Sequence, residues 1–128
     1  MPNKLLTSDR TLAVTVTASS TGLATAQFPP VPPGQFWTIK RSTINCNPQN
    51  TTVNEFNLYV GPPVPGAGDI RDHSYSGDGD VSDEISPVPC DPGDYITGIW
   101  GFSGSLGGAA AGALCTLTVT VDQYSIRG

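Results

Sequence analysis

At 128 residues the chain has the size of one ordinary domain, and a chain this long buries about two thirds of the surface its unfolded form exposes, so a core can form without disulfides or metals. Only 13% of its residues are charged and the formal net charge is −5, which argues against a nucleic-acid partner, because phosphate binding needs clustered Lys and Arg. The basic residues Lys4, Arg10, Lys40, Arg41, Arg71 and Arg127 are scattered; no stretch approaches the roughly 18 apolar residues of a membrane span, and Met1–Arg10 lacks a signal peptide's apolar core, so the expectation is a protein made in a cytoplasm, with no membrane partner.

In chain order, residues 1–10 read as a polar N-terminal arm outside the domain, with Leu5 and Leu6 flanked by Lys4 and Arg10, and residues 11–128 as the domain itself. Thr11–Ala18 alternates Leu12, Val14 and Val16 against threonines, the period of a half-buried strand. Ser19–Gly22 is a turn into a second strand, Gly22–Phe28. Pro29, Pro30, Pro32 and Pro33 lack ladder donors, so this stretch is a loop. Gln35–Cys46 follows as a long strand whose apolar phase moves from Trp37 and Ile39 to Ile44 and Cys46, predicting a bulge near Arg41–Ser42. Asn54–Val60 turns Phe56, Leu58 and Val60 inward and Glu55, Asn57 and Tyr59 outward. Gly61–Gly68 is a loop; Ile70–Tyr75 and Val81–Ile85 are at most short edge strands; Pro87–Asp94 is a corner into the strand Tyr95–Phe102. Gly112–Tyr124 closes the domain with Cys115, Leu117, Val119 and Val121 on one face. About eight such runs, punctuated by Pro-Gly corners, predict an all-β, antiparallel, jelly-roll-like β-sandwich. The segments 31–37 and 90–96 echo each other, each a Pro-Gly turn followed by a polar residue and an aromatic-bearing strand.

Residue types that carry chemistry are sparse. His73 is the single histidine, and neither a serine elbow nor a Cys/His motif surrounds it, so general acid–base or nucleophilic catalysis has no legible partner set. The expectation is a protein that is not an enzyme and uses no cofactor. Asp69, Asp72, Asp78, Asp80, Asp83 and Glu84 form the best cation candidate, but counting an EF-hand from Asp78 puts Asp83 where glycine is required, and no Glu closes the loop; no metal ligand is assigned. Trp37, Trp100, Tyr59, Tyr75, Tyr95 and Tyr124 offer a sugar platform if exposed, although Trp37 and Trp100 sit where core residues belong. Cys46, Cys90 and Cys115 are an odd set without a CxxC pair, which points to buried thiols; a Cys46–Cys90 or Cys90–Cys115 bridge stays open.

Three pieces in order, residues 32–39 (PPGQFWTI), 57–63 (NLYVGPP) and 91–100 (DPGDYITGIW), with the acidic stretch 77–83 between the last two, resemble small β-sandwich virion proteins of tailed bacteriophages, especially those of actinobacteria. The resemblance covers about residues 28–121. It implies a structural role on the particle: a capsid decoration (cementing) or minor capsid protein, a homo-oligomer, commonly a trimer, bound to the major capsid protein at the capsid surface. A tail or fibre accessory role, or a carbohydrate-binding receptor-recognition module, is the alternative. The family carries no catalytic residues over. In this chain three cysteines and a longer acidic loop depart from the pattern. The arm, through Lys4, Leu5, Leu6 and Arg10, or the closing segment 123–128, is the expected partner-binding element.

Overall fold

The computed structural model describes residues 4–49, 54–76, 78–82, 87–101 and 107–126. Among them nine strands form: β1 (Lys4–Thr17), β2 (Ala24–Gln27), β3 (Gln35–Asn47), β4 (Phe56–Gly61), β5 (Ile70–Ser74), β6 (Gly79–Ser82), β7 (Val88–Cys90), β8 (Tyr95–Trp100) and β9 (Leu114–Ser125). All pairings are antiparallel, and they make two sheets. The first runs β1-β9-β3, with β6 and β7 both on the far edge of β3; the second runs β2-β8-β4-β5. The fold is therefore a β-sandwich, and no helix of the described residues is long and apolar enough to cross a membrane.

Period-two alternation explains the core. On β9, Cys115, Leu117, Val119 and Val121 are all fully buried, whereas the threonines between them are half-buried on the opposite face. Facing them from the second sheet are Ala24 and Ala26, Phe56, Leu58 and Val60, and Ile96 and Trp100. Removing each large aliphatic or aromatic side chain of this set from water stabilises the fold by about 1.5–3 kcal/mol. The edge strand β1 contributes Leu12, Val14 and Val16, only half-buried because nothing flanks β1 on its outer side among the described residues.

The phase switch expected in β3 is present. Trp37 and Ile39 are buried, then Ser42, Ile44 and Cys46, and the β3–β9 register shifts between Ile39 and Arg41. One extra residue in the strand moves its apolar set from odd to even positions without turning it away from the core.

Four expectations are changed. The ladder of β1 starts at Lys4 rather than Thr11, since Lys4, Leu5, Thr7 and Arg10 pair with Ser125, Tyr124, Gln123 and Val121; the segment expected as an arm is the first half of an edge strand. Two irregularities, between Leu5 and Thr7 and between Thr7 and Arg10, erase the alternation that would have marked it. The Pro87–Asp94 corner contains strand β7, with Pro89 opposite Thr38; proline is compatible with a sheet edge, where no ladder needs its missing N–H. Asn57 and Tyr59, on the outward face of β4, are nonetheless buried. Gln27, Thr97 and Tyr59 lie side by side on that face, and Gln27 Nε2 donates to Thr97 Oγ1 (3.1 Å) and to the Pro63 carbonyl just after β4 (2.8 Å). Finally, the strand pairing places Cys90 far from the other two cysteines, opposite Trp37 at one end of β3, whereas Cys46 at the other end of β3 faces Cys115. This rules out both bridges the sequence left open.

Candidate binding surface

The residues singled out at the N-terminus converge with the proline loop on one end of the sandwich. The loop 29–34 cannot ladder, so it arcs across this end, anchored by buried Phe28 and Val31. Phe28 N–H donates to the Ile96 carbonyl (3.0 Å), Val31 N–H to the Asp94 carbonyl (2.9 Å), and Gly93 N–H to the Val31 carbonyl (2.8 Å). The two Pro-Gly corners that echo each other in sequence are thus bonded to each other in space, and the pairing continues as Trp37 opposite Cys90. Gly34 and Gly93 adopt φ of 78° and 85°, which is why each corner carries glycine.

Between this loop and β1 lies an apolar groove of about 290 Å³ lined by Arg10, Leu12, Phe28, Pro29, Pro30, Pro32 and Trp37. Trp37 forms part of the wall with only 7% of its surface exposed, and its indole N–H donates to Gln35 Oε1 (2.9 Å). Arg10 stands at the rim, donating to the buried Gln123 carbonyl oxygen Oε1 (3.3 Å).

Beside the groove the bulged parts of β1 and β3 flank β9 on its two sides. Asp9 takes φ of 54°, a left-handed conformation that Asp tolerates better than most residues. Its backbone N–H donates to Asp122 Oδ1 (2.9 Å), and its carboxylate accepts from Lys40 Nζ (2.6 Å), which also lies 3.9 Å from Asp122. Lys40 therefore reaches over β9 and clips the first half of β1 to β3. The Lys40 ammonium, by hydrogen bond and then by charge, holds the Asp9 carboxyl below its ordinary range.

The outward face at the same end carries an apolar strip. Leu5, Tyr124 and Phe36 are directly opposite one another across β1, β9 and β3, with the Tyr124 and Phe36 rings 6.2 Å apart. Leu5 and Leu6 are 49% and 48% exposed, and Ile126 beside them is exposed as well. Further along, the face turns polar, with rows of threonines such as Thr15 and Thr116, whose hydroxyls lie 2.8 Å apart.

The other candidates do not converge. His73 is exposed on β5, edge-on to Tyr75 with ring centroids 5.2 Å apart. Among the acidic residues, Asp69 accepts from Gly66 N–H, Asp72 from His73 N–H and Asp78 from Asn45 Nδ2, while Asp83 and Glu84 lie outside the described residues. No group of three or more His, Cys, Asp or Glu side chains comes together among the described residues. Trp100 is fully buried against Phe56 (centroids 4.7 Å apart, planes at 58°), and Tyr59 is buried too. Burial pushes the Tyr59 phenol above its ordinary range. With Trp37 and Trp100 both buried, a sugar-binding row lacks its two largest rings. The Leu5–Tyr124–Phe36 strip escapes sequence reasoning because its members are drawn from distant parts of the chain and meet only through strand register. No family model and no curated protein matches the chain.

Proposed function

We infer that this chain is a structural protein of a viral particle, a capsid decoration protein that binds the major capsid lattice as a homo-oligomer and stabilises it without catalysis. The observation that carries the reading is the uncovered first half of β1. There Leu5 and Leu6 stand half exposed on a strand with no ladder partner along its outer edge among the described residues. An open edge beside an apolar strip is a template for pairing with another chain, and the reading puts a neighbouring subunit there. The strand order supports the reading in a second way. With β6 and β7 counted together on the far edge of β3, the order β1-β9-β3-β6/7 against β2-β8-β4-β5 agrees with a jelly roll, an architecture that recurs in viral shell domains. This order agrees with the resemblance of residues 28–121.

The test is co-sedimentation of the purified chain with particles that lack it, followed by a copy count. Wild type is expected to bind in hundreds of copies per particle, and the double variant Leu5→Asp/Leu6→Asp at least roughly tenfold more weakly. Both leucines are half exposed, so each substitution costs only about 1 kcal/mol or less, and a melting curve separates lost binding from lost fold. Retention of full binding by the double variant would overturn the role of this edge. A handful of copies per particle would place the protein in the tail or fibre instead.

A further inference from the structure

Cys46 and Cys115 are directly opposite each other on the two central strands β3 and β9, both buried, with their sulfurs 3.6 Å apart. The ladder geometry makes this pair suitable for a bond. The Ala18 N–H donates to the Ala113 carbonyl at the end of the β1–β9 ladder (2.8 Å), so the odd-numbered residues of β9 direct their backbone groups toward β1. Cys115 thus meets Cys46 as a non-hydrogen-bonded pair, the class with the closer Cα atoms, about 4.5 Å apart. That lies at the short end of the separations disulfides span, roughly 4.4–6.8 Å. We propose that Cys46 and Cys115 are an oxidation site that closes into a cross-strand disulfide, stapling β3 to β9 across a loop of 69 residues.

Contact with the Asn54 amide marks Cys46 as the sulfur that reacts first. The Cys115 thiol, outweighing the cost of burial, holds Cys46 below the ordinary thiol range, and the amide of buried Asn54 adds to this by donating from Nδ2 (3.7 Å). Asn54 Oδ1 has no hydrogen-bond partner among the described residues. Cys115 is pushed the other way by the same contact and by burial. With hydrogen peroxide as oxidant, the Cys46 thiolate attacks one peroxide oxygen, the O–O bond breaks, and hydroxide leaves and is protonated to water. The Cys115 sulfur then attacks the Cys46 sulfenic acid, the S–O bond breaks, and the departing hydroxide takes the Cys115 proton as a second water. The two thiols lose two electrons and the peroxide gains them. Cys90 is excluded by distance: its partner on β3 is Trp37, and positions 37 and 46 of a strand lie roughly 25–30 Å apart. This inference does not rest on the particle reading.

The experiment treats the full chain with hydrogen peroxide, denatures it and titrates thiols. Free thiols are expected to fall from three to one, with a peptide map joining residues 46 and 115 within one chain. The melting temperature of the oxidised form is expected to rise by roughly 5–15 °C, and a reductant should reverse it. Cys90→Ala should retain the whole effect, and Cys46→Ala or Cys115→Ala should abolish it; if those two do not fold, the wild-type map decides alone. Three titratable thiols after treatment, a cross-link that includes Cys90 or joins two chains, or an oxidised form that melts no higher would each overturn the proposal.

Discussion

Gly98→Ala is the smallest change that tests how the two sheets meet. Gly98 lies on the inner face of β8, opposite Ala26 on β2 and Leu58 on β4. A Cβ there would sit 2.7 and 2.8 Å from Phe56 Cε2 and Cζ, and 2.9 Å from Leu117 Cδ2 of the facing sheet. Carbon atoms in good contact are about 3.5–4.0 Å apart, so the methyl overlaps both neighbours. Neither can step aside cheaply. Phe56 and Leu117 are fully buried, and the Phe56 ring is held against Trp100 at 4.7 Å. Overpacking of this kind costs about 1–3 kcal/mol. Removing glycine's freedom from the unfolded chain offsets roughly 0.4–1 kcal/mol of that. The net expectation is a loss of about 1–2 kcal/mol, or a melting temperature lower by roughly 4–8 °C. Urea unfolding followed by circular dichroism and by the fluorescence of Trp37 and Trp100 measures it. Gly68→Ala, where an added Cβ meets nothing within 4 Å, is the control and should be neutral or slightly stabilising. Phe56→Leu should recover part of the Gly98→Ala loss, because the two groups compete for one space. A Gly98→Ala protein as stable as wild type, with no coupling to Phe56→Leu, would show that the sheets are not in contact at this point.

Two of the groups whose folded environment shifts them, Asp9 and Cys90, give pH dependences that can be followed. Asp9 is held below its ordinary range by Lys40, so its contribution is present above the unfolded value of about 3.9 and is lost as pH falls through the lower folded value. Lys40→Met should return the Asp9 carboxyl titration, followed by NMR, to the ordinary range, and high salt should do part of the same because the pair is exposed; an unchanged titration refutes the clip. At the alkaline end, burial pushes the Cys90 thiol up to about 12, with Asp94 and Asp91 adding to it. The folded protein keeps this proton after the unfolded chain has lost it, so stability is full below about 9 and declines as pH rises toward 12. Cys90→Ala should make that decline shallower in urea titrations across pH 8–11, with Tyr59 and Cys115, also pushed up, keeping the rest of it, and an equal slope in both proteins counts against it; native Cys90 should also resist alkylation at pH 8.

Much of the fold is readable along the chain because burial on a pleated strand is a local, period-two signal. Leu12, Val14 and Val16 on β1, and Cys115 through Val121 on β9, declare their faces without reference to any other segment. The same holds for the β3 bulge, since an inserted residue is the simplest way to carry the buried phase from Ile39 to Ile44 within one strand. What misleads is irregularity. The two register shifts in residues 4–10 hide a strand, Pro89 hides another, and Tyr59 is buried although the alternation of β4 puts it on the outward face.

The candidate surface divides along the same line. Lys4, Leu5, Leu6 and Arg10 stand out in the sequence as charged and apolar residues in a short segment without a regular strand pattern. Their roles do not, because Arg10 finds Gln123 and Asp9 finds Asp122 across 113 positions of chain. Side-chain alternation and the backbone limits of proline and glycine are properties of the chain itself. They settle which residues face inward, where the chain must turn, and that Pro-Gly corners separate the strands. Which strand lies beside which is settled only when the two sheets pack. With that packing come the open edge of β1, the strip Leu5–Tyr124–Phe36, and the meeting of Cys46 with Cys115. Register between distant strands is fixed by the collective fit of both sheets, and no local pattern encodes it.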